Sequence, residues 1–119
     1  MLASACGGHF VARGADLYDN GRYVEAAEVF ERTEQRLGQA PSDERARFGL
    51  YRGATFLKLG DAVHAARWLG YARSIVKSDP GALDSNEHAM LEASLKAVAS
   101  VKQAPPTPGD TELATAPTP

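Results

Sequence analysis

Three histidines are the residues of this sequence with the greatest potential for metal or acid–base chemistry. They are His9, His64 and His88, and none has the spacing of a helical metal-binding pair such as H-E-x-x-H. We therefore predict no metal site. We expect His64 to be a solvated or helix-capping residue on a helix surface.

Glutamates recur at every third residue of one segment and form a second candidate site. They are Glu25, Glu28, Glu31 and Glu34. Paired carboxylates can perform acid–base catalysis or bind calcium, but these lie beside Arg32 and Arg36, which favours a solvated helix face with ion pairs. The sequence contains no glycine-rich phosphate loop and no nucleophile elbow. We therefore predict a protein that is not an enzyme, without catalytic residues and without a cofactor.

Composition restricts the class of protein further. The 119 residues fit one domain, with 44% hydrophobic and 24% charged residues. The net charge of −2 argues against a nucleic-acid partner, since such proteins usually have a basic excess. No apolar run reaches the roughly 18 residues of a membrane-spanning helix. The only cysteine, Cys6, excludes a disulfide within the chain.

Periodicity divides the chain into a helical domain at 8–102 and a Pro/Thr-rich tail at 103–119. Apolar residues follow a helical period, which predicts an all-α domain. The predicted helices span 8–19, 22–37, 44–59, 61–77 and 85–102. Five of the seven prolines fall in the last 15 residues, where few large apolar side chains could offset the entropy of ordering. We expect this tail to be disordered.

An internal repeat organises the helical domain. When the segment 14–27 is aligned with 53–66, six of 14 residues are identical, and the same offset of 39 residues places Pro41 on Pro80. Gly21 and Gly60 fall where one helix ends and the next turns back, a position that favours a left-handed residue. The alignment predicts two helix–turn–helix units.

A second pair of glycines lies inside the first helix of each unit. Glycine there costs about 1 kcal/mol relative to alanine, which is best tolerated where another helix packs against the bare backbone. We expect Ala26 and Ala65 to face Gly14 and Gly53, and Phe30 and Leu69 to fill the layer one turn further on. Trp68, Tyr51 and Tyr71 have the spacing of core or groove residues, and core positions are the default expectation.

The last predicted helix has signals of its own. Asp84 and Glu87 have the spacing of a capping box. An apolar stripe follows, consisting of Met90, Leu91, Leu95, Val98 and Val101. Because an open repeat array exposes its packing face, we expect this helix to close the array.

The repeat resembles the tetratricopeptide repeat (TPR) family, whose motif combines small, aromatic and proline positions on two helices. The first unit contains Phe10, Gly14, Leu17, Ala26, Phe30 and Pro41, and the second contains Gly53, Phe56, Ala65, Leu69 and Pro80. The period of 39 exceeds the family's 34, and arginines at 13 and 52 replace a family leucine. The later prolines predict second helices about one turn longer. The resemblance implies an α-α superhelix of two repeats.

The resemblance also implies a partner, namely another protein or a peptide segment on the concave face formed by the first helices. Mapped on that geometry, the face exposes a mixed apolar and basic surface. Its residues are Val11, Ala15, Tyr18, Asp19, Arg47, Leu50, Ala54, Leu57 and Lys58, of which Tyr18, Asp19, Arg47, Leu50, Leu57 and Lys58 are the predicted partner-binding groove. The asparagine–lysine set of the chaperone-binding carboxylate clamp is missing.

The segment 1–7 resembles the end of a bacterial lipoprotein signal, with small residues before Cys6. This resemblance implies lipidation of Cys6 as the only membrane attachment and a place in the periplasm or at the outer membrane. The function expected is then that of a scaffold or assembly factor in the cell envelope. The alternative is a cytoplasmic TPR adaptor or secretion chaperone, with Met1 as the native start and Cys6 incidental.

Overall fold

The structure, a computed structural model, describes residues 10–103 and is all-helical within that range. The α-helices are α1 (Phe10–Asp19), α2 (Tyr23–Thr33), α3 (Ser42–Lys58), α4 (Ala62–Ser78) and α5 (Ser85–Gln103). Short 3-10 helices occupy Glu34–Gln39 and Pro80–Ala82. The prediction of an all-α fold is confirmed. Cys6, His9 and the tail from residue 104 onward lie outside the described residues.

The two turns between paired helices have the same geometry. Gly21 and Gly60 adopt φ values of 77° and 82°. In each turn the N–H of the residue after the glycine donates to the carbonyl four residues before the glycine, at 2.8 and 2.9 Å. The glycine N–H donates to the carbonyl of its third preceding residue. These two bonds satisfy the last carbonyls of α1 and α3 and direct the chain back along the preceding helix.

The glycines inside α1 and α3 permit close helix packing. A Cβ atom at Gly14 would lie less than 3.0 Å from the ring of Phe30, and one at Gly53 less than 3.0 Å from the side chain of Leu69. The sequence predicted alanines opposite these glycines, whereas the atoms nearest to each come from the residue one turn further along the second helix. A large side chain therefore fills the space above each bare backbone.

Helix α3 lies at the centre and packs against all four other α-helices. Its residues contribute to two core clusters. One surrounds Phe30 and Phe48, the other surrounds Leu50 and Leu69, and Tyr51 packs against both. The two helix pairs therefore share one continuous interior.

Helix α5 begins with the predicted capping box. The N–H of Glu87 donates to the Asp84 carboxylate at 2.8 Å, and the N–H of Asp84 donates to the Glu87 carboxylate at 3.0 Å. Leu91 and Val98 are buried, as the apolar stripe predicted. Val101, placed on the same stripe, is exposed.

The second helices differ in length from each other. Helix α4 continues to Ser78, one residue beyond the predicted end. Helix α2 ends at Thr33, and the chain tightens into the 3-10 helix, which places Leu37 in the core. The predicted α-helix to residue 37 is thus wrong in its last turn, because packing of Leu37 is achieved with tighter geometry.

Candidate functional site

Five of the six predicted groove residues are at least partly exposed, and we call them the Tyr18 face: Tyr18, Asp19, Arg47, Leu57 and Lys58. The Tyr18 ring contacts the rings of Tyr23 and Tyr51, with centroids 5.4 and 5.8 Å apart. The Lys58 ammonium lies 5.9 Å from the Tyr23 ring centroid. One end of this face is therefore an aromatic surface with a single cation.

Leu50 does not belong to the exposed surface. It is 0% exposed and shares a core cluster with Leu83 and Leu91. The prediction failed because α5 and the turn before it pack over the first half of α3. Three other residues mapped to the same face are buried as well. They are Val11, Ala15 and Ala54.

Arg47 does not supply the basic character expected of this face. Its Nε donates to Glu87 at 3.1 Å and its Nη1 donates to Glu44 at 3.2 Å. Two carboxylates on one guanidinium leave no excess positive charge. The Tyr18 face is therefore less basic than the sequence predicted, with Lys58 as its exposed cation.

The tyrosines of this face remain neutral over a wide pH range. Burial raises the pKa of Tyr18, and the neighbouring Tyr23 and Asp19 raise it further. Burial likewise raises the pKa of Tyr51, with a further contribution from the Asp19 carboxylate. Both phenols therefore serve as apolar surface and hydrogen-bonding groups rather than as acids near neutral pH.

A concave site lies elsewhere, between α2 and α4, with α3 at its base. We call it the α2–α4 cleft, and its volume is about 640 Å³. Its lining comprises aliphatic, aromatic and charged side chains: Val24, Ala27, Leu37 and Leu59; Phe56, Trp68 and Tyr71; Glu28, Glu31, Glu34, Arg52, His64 and Arg67. A volume of this size falls within the range of clefts that hold ligands or peptide side chains.

Arg52 forms the base of the cleft and is 8% exposed. Its guanidinium carbon lies 4.6 Å from the Trp68 ring centroid, and its Nη1 donates to Glu34 at 2.8 Å. Burial of a cation is costly unless aromatic faces and a carboxylate compensate for lost water, and both are present here. Arg52 therefore links the end of α2 to α3 and supports the Trp68 ring.

The lip of the cleft is apolar and open to solvent. Val24 is 61% exposed and Leu59 is 42% exposed. Both line the cleft together with Phe56. Exposed aliphatic residues are individually common, but two that line one cleft together with aromatic side chains are typical of a binding surface.

Glu28 and Glu31 of α2, with Glu34 of the following 3-10 helix, form one wall of the cleft. Glu25 pairs with Arg22 and Glu34 pairs with Arg52, so the predicted ion pairs with Arg32 and Arg36 are not the ones formed. Within residues 10–103, Glu28 and Glu31 make no ion pair. The wall therefore has two uncompensated carboxylates facing solvent at the cleft.

Sequence reasoning missed this site because its residues come from α2, the 3-10 helix after it, α3 and α4, and lie away from the first-helix face. Trp68 and Tyr71, expected in the core or in a groove, do both: they pack against a core cluster, are half-buried and line the cleft. Val24 and Val63 occupy the same position of the two units and both are exposed, but only Val24 lines the cleft. The repeated valine is therefore not a signal for this site.

His64 is exposed on the surface of α4, as predicted. His64 Nδ1 lies 2.7 Å from the Asp61 carboxylate, and its ring stacks on Phe56 with centroids 5.1 Å apart. His88 Nε2 lies 2.8 Å from the carbonyl oxygen of Pro80. In the described part of the chain, no three His, Cys, Asp or Glu side chains group closely enough to hold a metal ion. None of the described helices is long and apolar enough to span a bilayer.

The chain matches no family model, no curated protein and no solved structure. Its function is therefore inferred from its own residues and geometry. Two surfaces qualify as candidate sites, the Tyr18 face and the α2–α4 cleft, and the cleft is the one with a concave volume of about 640 Å³.

Proposed function

We propose that this protein is a non-enzymatic interaction module that holds a segment of another protein in the α2–α4 cleft. The observation that carries the proposal is the open apolar lip of Val24 and Leu59 above the floor of Phe56 and Trp68. Exposing these side chains to water is unfavourable, and a bound segment would remove that cost. Charged residues at the rim would orient the segment without dominating its affinity.

The architecture proposed for the module is TPR-like, with two repeats and α5 as a closing helix. This is supported by the equivalent turns at Gly21 and Gly60 and by the equivalent contacts of Gly14 and Gly53, all at an offset of 39 residues. Its site would differ from the expectation drawn from the family, since it lies between the second helices rather than on the first-helix face.

The cellular role we propose is that of a scaffold or assembly factor in a bacterial cell envelope, anchored by lipid on Cys6. The sequence of residues 1–7 supports it. The alternative is a cytoplasmic TPR adaptor or secretion chaperone. Mass spectrometry of the protein expressed from its native upstream sequence separates the two, because an unmodified Cys6 in an unprocessed chain contradicts the lipoprotein.

Site-specific photo-crosslinking in the native host tests the binding surface. A photoreactive amino acid at Leu59 samples the cleft, one at Asp19 samples the Tyr18 face, and one at Ser100, exposed on α5, is the matched control. We expect one discrete crosslinked protein from position 59, with the crosslinked segment identified by mass spectrometry. Crosslinking from position 59 no stronger than from position 100 would contradict the proposal, and a product from position 19 alone would favour the Tyr18 face.

A further inference from the structure

The two walls of the α2–α4 cleft carry opposite charge. Because Glu34 and Arg52 neutralise each other, the remaining charges are the carboxylates of Glu28 and Glu31 on α2 and the guanidinium of Arg67 on α4. None of these three makes an ion pair within residues 10–103. The acidic wall therefore has the larger unbalanced charge.

The two carboxylates have a regular spacing. Glu28 and Glu31 are three residues apart on α2, which corresponds to a rise of about 4.5 Å along the helix. Both side chains are exposed. A ligand that matches them needs two cationic groups with a similar separation, and residues three or four apart on a helix provide it.

The apolar lip lies beside this wall and selects for a second feature. Val24 begins the lip one turn before Glu28 on the same helix, and Leu59 lies at the end of α3. Since Phe56 lies in the floor of the same cleft, a large apolar side chain can bury itself there while cationic neighbours reach the carboxylates.

We infer that the occupant of the α2–α4 cleft is a protein segment with two basic residues about one helical turn apart and a large apolar residue next to them. The inference rests on the proposed function and specifies the partner's chemistry. The basic residues face Glu28 and Glu31, and the apolar residue lies against Phe56 and Leu59. An acidic segment would meet repulsion along the whole α2 wall.

Selection from a random peptide library tests this inference directly. A phage-displayed library of short peptides without tryptophan is panned on the full chain, and each selected peptide is synthesised and titrated. Trp68, the chain's only tryptophan, lines the cleft, so a change in its fluorescence identifies peptides bound there. We expect such peptides to be enriched in lysine or arginine next to leucine, phenylalanine or methionine.

Charge variants then locate the basic residues of the selected peptides. Glu28→Gln and Glu31→Gln should each weaken binding by roughly 1.5- to 5-fold, as expected for an exposed ion pair. Arg67→Gln should leave the affinity unchanged or raise it, because it removes a positive charge that repels the basic residues of the peptide. Asp19→Asn, an equally exposed acid on the Tyr18 face, is the matched control and should have no effect.

The outcomes separate the partner's chemistry from the proposed function itself. The inferred chemistry is overturned if the peptides that alter Trp68 fluorescence show no enrichment in basic residues. It is also overturned if they bind Glu28→Gln and Glu31→Gln as tightly as the wild type. In both cases the cleft remains a binding site. If none of the selected peptides alters Trp68 fluorescence, both the inferred chemistry and the proposed function are overturned. If the chain self-associates and Leu59→Ser abolishes that association, the occupant of the cleft is a second copy of the chain, and the inferred chemistry is overturned.

Discussion

Arg13 and Arg52 occupy the same position of the two helix pairs, but their surroundings differ. Arg13 is exposed on α1, whereas Arg52 is buried on α3 between Glu34 and Trp68. Arg52 is covered because α2 and its 3-10 extension lie on one side of it and α4 on the other. Within residues 10–103 no helix precedes α1 to cover Arg13 in that way. Whether the arginine at this position is buried therefore depends on the neighbouring helices that cover it and not on the residue type.

The features that the two pairs share are those imposed by backbone geometry. Both turns need a left-handed residue and both first helices need a bare backbone, and glycine supplies each. The features that differ lie at helix ends. Asp61 caps α4, whereas Arg22 provides no side-chain cap to α2. Variants at equivalent positions can therefore show how far the two pairs behave alike.

The largest effect is expected from truncating the side chain that packs on each internal glycine. Phe30 and Leu69 are both fully buried. Phe30→Ala should lower the free energy of unfolding by about 3 to 5 kcal/mol, and Leu69→Ala by about 2 to 5 kcal/mol, since each leaves a cavity. Urea unfolding followed by circular dichroism measures both. A loss below 1 kcal/mol in only one variant would show that the two pairs are not equivalently packed.

Adding a methyl group to the internal glycines should destabilise the protein in both pairs. Gly14→Ala and Gly53→Ala force an added Cβ into Phe30 and Leu69, respectively, and overpacking typically costs about 1 to 3 kcal/mol. Thermal and urea unfolding measure the change. Gly70→Ala is the control, because Gly70 lies in α4 with no atom within 4 Å of an added Cβ. It should stabilise α4 by up to about 1 kcal/mol.

A second substitution distinguishes the two glycine contacts. The atoms nearest to a Cβ at Gly14 all belong to the Phe30 ring, including two that leucine lacks, whereas a Cβ at Gly53 also lies 3.1 Å from the backbone nitrogen of Leu69. Phe30→Leu should therefore reduce the cost of Gly14→Ala in a double-mutant cycle, but Leu69→Ala should only partly reduce that of Gly53→Ala. If the second substitution removed the whole cost of the glycine-to-alanine change in both pairs, the two contacts would not differ.

The turn glycines should have smaller and equal effects. Gly21→Ala and Gly60→Ala meet no steric obstruction, so the cost is only that of a left-handed backbone, about 1 to 2 kcal/mol. Gly38→Ala, at another exposed glycine without neighbouring atoms, is the control and should have little effect. Urea unfolding measures all three. If only one of the two variants lost stability, the backbone strain at the other turn would have been relieved by movement of its helices.

The signals that the sequence revealed correctly are local ones. The turn at Gly60 and the capping box of Asp84 and Glu87 depend on residues within one turn of each other, so the pattern alone predicts them. Leu50 was misplaced because its cover comes from α5, about forty residues further along the chain. The α2–α4 cleft was missed for the same reason, since its shape depends on how two separate helices approach α3. No single segment of the sequence determines how far apart α2 and α4 lie on α3.

The smallest effect concerns the helix cap that only the second pair has. The Asp61 carboxylate accepts the His64 N–H, and this bond lowers the Asp61 pKa below its ordinary value of 3.8. The folded state therefore gains stability from the ionised cap above that value and loses it as the pH falls through the lowered pKa. Arg22 has similar backbone angles, so Arg22→Asn should add a cap to α2 that does not titrate, and this cap should outweigh the lost Arg22–Glu25 ion pair, because an exposed pair contributes little. Unfolding temperatures between pH 2 and 6 should show that Asp61→Asn removes part of the acid sensitivity, whereas Arg22→Asn raises the unfolding temperature slightly at every pH. Acid sensitivity unchanged in Asp61→Asn would place its origin in other carboxylates and leave the two caps without a measurable difference.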